Sequence, residues 1–292
     1  QHTALLDQIS FSEIPTSVTL NNFHIGLPAT NIATVGSPIT VTTCFAGGTV
    51  TDCKFVRQTL ATASNIVGSF TDLDGWTFTN TACIVANVKA ANTPIAWGLT
   101  RIANSTFTNC LAGDGRFLLT TSQNLTLTYT KYYDRQGTTT TSTNPVSAID
   151  ITTGCTDITV SGFANFNSNA NVHPYTAIVN ISSNCQRIKV RNIGTASSPY
   201  NCGSANATGV LVQMNGLNSN VKVQRVYAQN TRTSIFGTMV NSDNIITAEC
   251  VWGDGADSQA LTANNMICKG CRWTNSVTGQ TAVYGTHWSD IW

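Results

Sequence analysis

Asp72 and Asp74 stand two residues apart in the segment Phe70-Thr-Asp-Leu-Asp-Gly-Trp76. On an extended strand, residues i and i+2 point the same way, roughly 6.5–7 Å apart. An inverting glycoside hydrolase holds its acid and its base about 6.5–9.5 Å apart, leaving room for a water. The pair therefore has the residue type and spacing to hydrolyse a glycosidic bond, with Asp52 as a third carboxylate one repeat earlier. Acidic residues on an exposed strand also serve as plain solubilising groups that discourage edge pairing. Of the longer carboxylate the chain has only Glu13 and Glu249.

A second set is basic. Lys189, Arg191, Lys222 and Arg225 recur at one repeat interval, so Lys189 and Lys222 are expected to stack on adjacent strands. Like charges placed opposite each other destabilise a sheet. Such a ladder invites an anionic partner, for which phosphate or uronate groups are suitable; Glu249 beside Arg225 is the alternative compensation. Tyr129 and Tyr133, next to Asp134 and Arg135, offer aromatic faces for sugar rings. No metal or cofactor is expected. The loop Trp252-Gly-Asp-Gly-Ala-Asp257 lacks calcium-loop spacing, and Cys268-x-x-Cys271 is a zinc half-site without its other half.

What positions these residues is a repeat. The pattern apolar-x-apolar-x-x-apolar-x-apolar recurs about ten times, with its second position at 20, 50, 73, 102, 127, 160, 190, 223, 247 and 268. Spacing of two is a strand with one buried face; the single slip to three lets the chain bend while the next apolar side chain still points inward. Asn22, Asp52, Gly75, Asn104, Gly162, Asn192 and Gly270 fall at the bends, and such residues tolerate left-handed backbone. A further apolar strand precedes most copies, as at Phe117–Leu119, Ile149–Ile151, Ile178–Ile181, Val210–Val212 and Met239–Val240. Three strands per turn, a fixed bend and variable connections predict an all-β, right-handed parallel β-helix of about ten coils. An antiparallel sandwich of short strands shares the alternation but does not require the same bend in every unit.

Composition agrees. Apolar residues make up 41% of the 292, enough for a large core, whereas charged residues make up only 10%. Thr, Asn, Ser and Gln must therefore cover the surface, and the scarcity of Glu and Lys argues against bundles of long amphipathic helices. The net charge of +1 argues against a general nucleic-acid binder, and no run approaches the roughly 20 apolar residues of a membrane span. The ten Cys admit five disulfides. However, Cys155 and Cys185 hold equivalent positions on consecutive repeats, as do Cys250 and Cys271. Stacked free thiols are expected there, although a disulfide is geometrically open at that separation. Four Asn-x-Ser/Thr sequons, at Asn104, Asn124, Asn180 and Asn206, are weak evidence for secretion, since a chain this rich in Asn and Thr produces several by chance.

The repeats SNVKVQRVYAQN, CTDITVSGFANF and NCQRIKVRNIGT resemble the coils of pectate-lyase-like β-helices, and the Thr/Asn/Ser surface resembles that of bacteriophage tailspikes and tail fibres. The resemblance covers about residues 15–280 and is architectural. It implies a homotrimer on a phage virion, assembled with other tail proteins, that recognises bacterial surface glycan during attachment. A polysaccharide depolymerase, or a secreted carbohydrate-active protein, is the alternative of the same fold. The expected organisation is a lead-in over 1–15, the coil over 16–275 and a cap over 276–292 that carries Trp288 and Trp292. Opening at Gln1, without initiator Met or signal peptide, fits a processed protein or a piece of a longer fibre.

Overall fold

The computed structural model describes residues 9–26, 37–58, 66–86, 95–113, 115–133, 147–165, 177–195, 197, 200–201, 210–229, 239–242, 245–248, 251–253, 260–263, 266–269, 272–274, 284–285 and 288–291. Among them every regular element is a β-strand, and there is no helix. The strands stack in parallel as a β-solenoid.

Three ladders form its faces. Face A stacks Ile9–Ser12, Ile39–Cys44, Ile66–Asp74, the start of Ile95–Thr108, Arg116–Thr120, Ser147–Thr152, Ala177–Ile181 and Val210–Met214. Face B begins with Val18–Asn21, Gly48–Thr51 and Trp76–Thr79 and continues through the end of Ile95–Thr108, then Gln123–Tyr133 and Thr156–Asn165. It runs on through Lys189–Ile193, Lys222–Gln229, Ile245–Ala248, Met266–Lys269 and Trp288–Ile291. Face C includes His24–Gly26, Lys54–Gln58, Ala82–Ala86 and Leu111–Gly113. Ile9–Ser12, in the expected lead-in, and Trp288–Ile291, in the expected cap, both pair with the coil.

The faces meet at corners made by left-handed residues. Between A and B one column contains Thr43, Asp72, Arg101, Thr121, Gly154, Asn184 and Gly216; a second, three or four residues on, contains Gly47, Gly75, Asn104, Asn124, Asp157, Arg187 and Asn220. Between B and C the column is Asn22, Asp52, Asn80, Asn109, Tyr129, Gly162, Asn192 and Arg225. Most of these are Gly, Asn or Asp, the types for which positive φ costs least. Through most of the stack the residue after each corner turns into the core, as Leu73 after Asp72, Trp76 after Gly75 and Cys53 after Asp52. That produces the spacing of three.

Because most corners make the same slip, spacing alone does not say which corner a copy spans. The copies that begin at Thr71 and Thr100 were expected to align Leu73 and Ile102 with Val50. The register instead pairs Leu73 with Cys44 and with Ile102, and pairs Val50 with Phe78 and Phe78 with Phe107. Those two copies turn the A–B corner, while their neighbours turn B–C. The face B column is therefore Leu20, Val50, Phe78, Phe107, Leu127, Val160, Val190 and Val223.

The inner columns are buried and closely packed. Phe78 stacks on Phe107 at 4.7 Å with rings 3° from parallel, and Trp97 stacks on Phe117 at 5.5 Å. Trp76 reaches back one rung to donate from Nε1 to the Cys44 carbonyl at 3.0 Å. A Cβ on Gly48 would lie 2.7 Å from that indole, so Gly48 clears its path. Cys44, Cys53, Cys83, Cys110, Cys155 and Cys185 are all buried free thiols, and Gln186 N donates to Cys155 O at 3.0 Å, which sets Cys185 one rung from Cys155. The expected stack of unpaired thiols is present there. Cys250 and Cys271 lie outside the described residues.

Candidate functional site

Neighbouring rungs engage the three candidate catalytic carboxylates separately. Asp72, at the first A–B corner, receives Arg101 Nε at 2.5 Å and Nη2 at 2.7 Å. Asp74, two residues on, receives Asn104 Nδ2 at 2.7 Å. Asp52 sits at the B–C corner and receives Asn80 Nδ2 at 3.0 Å. The expected acidic patch of Asp52, Asp72 and Asp74 is therefore divided: two belong to one edge of the prism and one to another. The reason is the register: Leu73 lies opposite Cys44 and not opposite Val50, so Asp72 and Asp74 stand on a different edge from Asp52. Arg101 also holds the Asp72 carboxyl below the usual carboxylate range. A general acid needs the opposite shift.

Asp52 and Asp74 have the same place in two hydrogen-bonded columns. Asn109 Nδ2 donates to Asn80 Oδ1 at 2.6 Å, and Asn80 donates on to Asp52. Asn124 donates to Asn104 at 2.7 Å, and Asn104 to Asp74. A carboxylate only accepts, so it is the natural last member of a string of amide donors.

A third string escaped the reading of the sequence. On face A, Asp150 alternates with inward Ile149 and Ile151 and so points away from the coil interior, yet it is only 3% exposed. Arg116 Nη1 donates to its Oδ2 at 2.5 Å, Asn180 Nδ2 to its Oδ1 at 3.0 Å, and Ser147 Oγ to the same oxygen. Asn215 continues the string by donating to Asn180 at 2.9 Å. Leu118, Asp150, Asn180 and Gln213 share one column in register. The available signal was a polar residue centred in two consecutive apolar triplets, Ile149-Asp-Ile151 and Val179-Asn-Ile181. Arg116 Nε and Gln213 Oε1 are buried with no hydrogen-bond partner.

The basic set is brought together as expected, with one exception. Lys189 lies directly opposite Lys222 on face B, and Arg191 opposite Gln224. Lys189 and Arg191 are exposed. Thr159 and Ser161 continue the two columns on the preceding strand. Arg225 instead occupies the B–C corner, at φ 51°. Asp157, at the second A–B corner, is bound by Arg187 at 2.7 Å through both Nε and Nη2, and its carboxyl is held low by Arg187 and more weakly by Lys189. Glu249, the expected compensating charge, lies outside the described residues, as do Asp254 and Asp257.

Tyr129 is at the B–C corner and 66% exposed. Tyr133 ends its strand opposite Gly113; its side chain is outside the described set. Among the described residues no group of three or more His, Cys, Asp or Glu is arranged to hold a metal ion.

No family model matches this sequence. No curated protein matches it either. Among solved structures the chain is similar to the crystal structure of PfbA, a surface adhesin of Streptococcus pneumoniae. Identity is 12%, the match covers 97% of this chain and 86% of that chain, and the TM-score is 0.26. A likeness at that level leaves the function to the chain's own surface.

Proposed function

We propose that this β-solenoid is a non-enzymatic binding module that recognises an anionic polysaccharide on a bacterial surface. The observation that carries the reading is Lys189 set directly opposite Lys222, with Arg191 beside them, on a chain whose charged residues are only 10% of the total. Like charges in register cost sheet stability. A polymer with a repeating acidic group, laid along the coil axis, converts that cost into binding. The sparsely charged Thr/Asn/Ser surface around the ladder suits a phage tail-fibre or tailspike setting, in which the chain trimerises and joins other tail proteins to attach the virion to its host.

The test is retention of the full chain on immobilised polysaccharides, acidic and neutral, at low and at moderate salt. Wild type is expected to hold acidic polymers and to release them as salt rises, since exposed charges are screened. Lys189→Gln with Lys222→Gln is expected to weaken retention at least tenfold with the thermal midpoint unchanged or raised. Binding that is confined to neutral polymers, or that ignores the double variant, overturns the reading.

A further inference from the structure

The B–C corner column is built of Asn22, Asp52, Asn80 and Asn109 before Tyr129, and of Gly162, Asn192 and Arg225 after it. Tyr129 adopts φ 51° in this column, a left-handed backbone that a bulky residue takes only under constraint. Asn would fit there more easily and would extend the amide string from Asn109, so neither backbone preference nor the corner's own hydrogen bonding accounts for Tyr. Burial does not account for it either, since the side chain is 66% exposed. The next rung is nevertheless fitted to the ring. A Cβ on Gly162 would meet Tyr129 Cδ1 at 2.8 Å, so the absence of a side chain there seats the ring against backbone.

Next to Tyr129 runs the outer column Thr128, Ser161, Arg191, Gln224. Asn192 Nδ2 donates to Ser161 Oγ at 3.0 Å and holds that hydroxyl in place. At about 4.8 Å per rung, Arg191 stands roughly 10 Å along the axis from Tyr129. The strip thus offers, in order, an aromatic face, the held hydroxyl of Ser161 and the cations Arg191, Lys189 and Lys222.

Resting on the polysaccharide reading above, we infer that Tyr129 is a stacking platform that sets the start of the binding strip. A sugar ring lies on Tyr129, and the chain runs along the coil axis so that an acidic group of a later residue meets Arg191 and the lysine ladder. Backbone strain at Tyr129 is retained because the exposed ring is needed for the ligand.

The experiment compares wild type, Tyr129→Asn, Tyr129→Phe and the Lys189→Gln, Lys222→Gln double variant on an array of polyuronates, polysialate, teichoic acids, dextran and neutral glucans, with thermal midpoints measured on the same samples. Tyr129→Asn is expected to bind the retained acidic polymer about tenfold more weakly while its midpoint rises by about 2 °C as strain is relieved. Tyr129→Phe keeps the ring and is expected to bind within twofold of wild type. Unchanged binding by Tyr129→Asn overturns the platform, and so does weakened binding with a lowered midpoint, which marks a structural corner. If the lysine variant loses binding while Tyr129→Asn keeps it, the polysaccharide reading stands and the platform alone fails. If no acidic polymer is held by wild type, the reading fails and the platform with it.

Discussion

Arg116 donates from Nη1 to the carboxylate of Asp150 one rung further along, at 2.5 Å, and the two side chains are 16% and 4% exposed. Ion pairs this buried are costly to break from one side, because the partner charge is left without solvent. Arg116→Met is therefore expected to lower unfolding free energy by about 3 kcal/mol, measured by urea denaturation. Leu118 holds the column position opposite Asp150 on the preceding strand. Adding Asp150→Leu removes the stranded charge and is expected to recover part of the loss, the rest remaining because Ser147 and Asn180 then lack their acceptor. Recovery of none of it would mean that Asp150 matters chiefly through Ser147 and Asn180.

Phe107 lies flat against Phe78 and edge-on to Trp97, the latter at 5.9 Å. Phe107→Ala empties the middle of the face B column, where neighbouring rungs cannot close over the gap without losing register. A loss of about 3–5 kcal/mol is expected from the same urea measurement. Retained parallel β-structure by circular dichroism before the transition would show that the stack tolerates the cavity locally.

Burial pushes the Cys110 thiol from its ordinary 9.0 up to about 12, and pushes the Cys83 thiol well up too. Below pH 9 both states of the chain hold these protons, so the burial is fully compatible with folding. Between pH 9 and about 12 the unfolded thiol ionises and the folded one does not, so stability is expected to fall across that window. Thermal midpoints measured from pH 7 to 11 test this, and Cys110→Ala should flatten the alkaline limb. The six buried thiols are also expected to resist Ellman's reagent at pH 8 until denaturant is added.

Asp72 and Asp74 can be changed together to Asn. The double variant is expected to fold, to bind polysaccharide within twofold of wild type, and to match wild type in releasing no reducing ends. Reducing-end release that the variant abolishes would restore a hydrolytic pair. Since Arg101 depresses the Asp72 carboxyl, the contribution of that pair is present above the ordinary carboxylate value of 3.8 and fades as pH falls through the lower folded value. Its exposed geometry makes this acid effect small.

The coil was legible in the sequence because most corners impose the same left-handed residue followed by an inward one. That identity also concealed which corner each copy turns. Leu73 and Trp76 read as well on one corner as on the other, and only the register with Cys44 and Gly48 separates them. Setting Leu73 opposite Val50 placed Asp52 on the same edge as Asp72 and Asp74, one rung away, and so grouped the three carboxylates. Lys189 and Lys222 escaped it because Val190 and Val223 lie in copies whose corner was assigned consistently. The Asp150 string was missed for another reason. Its residues lie on strands recognised by their apolar members, and nothing in a single triplet says that its outward polar residue will be buried.

The amide strings share one direction. Asn80 donates to Asp52, Asn104 to Asp74 and Asn180 to Asp150, always toward the rung nearer the start of the chain, with Asn109, Asn124 and Asn215 following in the same sense. Each amide therefore aligns its dipole with the one before it, and such alignment polarises the string cooperatively. The positive ends point at the carboxylates, much as an α-helix N-terminus favours an anion. Without a helix among its described residues, the protein lines up side-chain amides along the coil axis in the way that a helix lines up its peptide units.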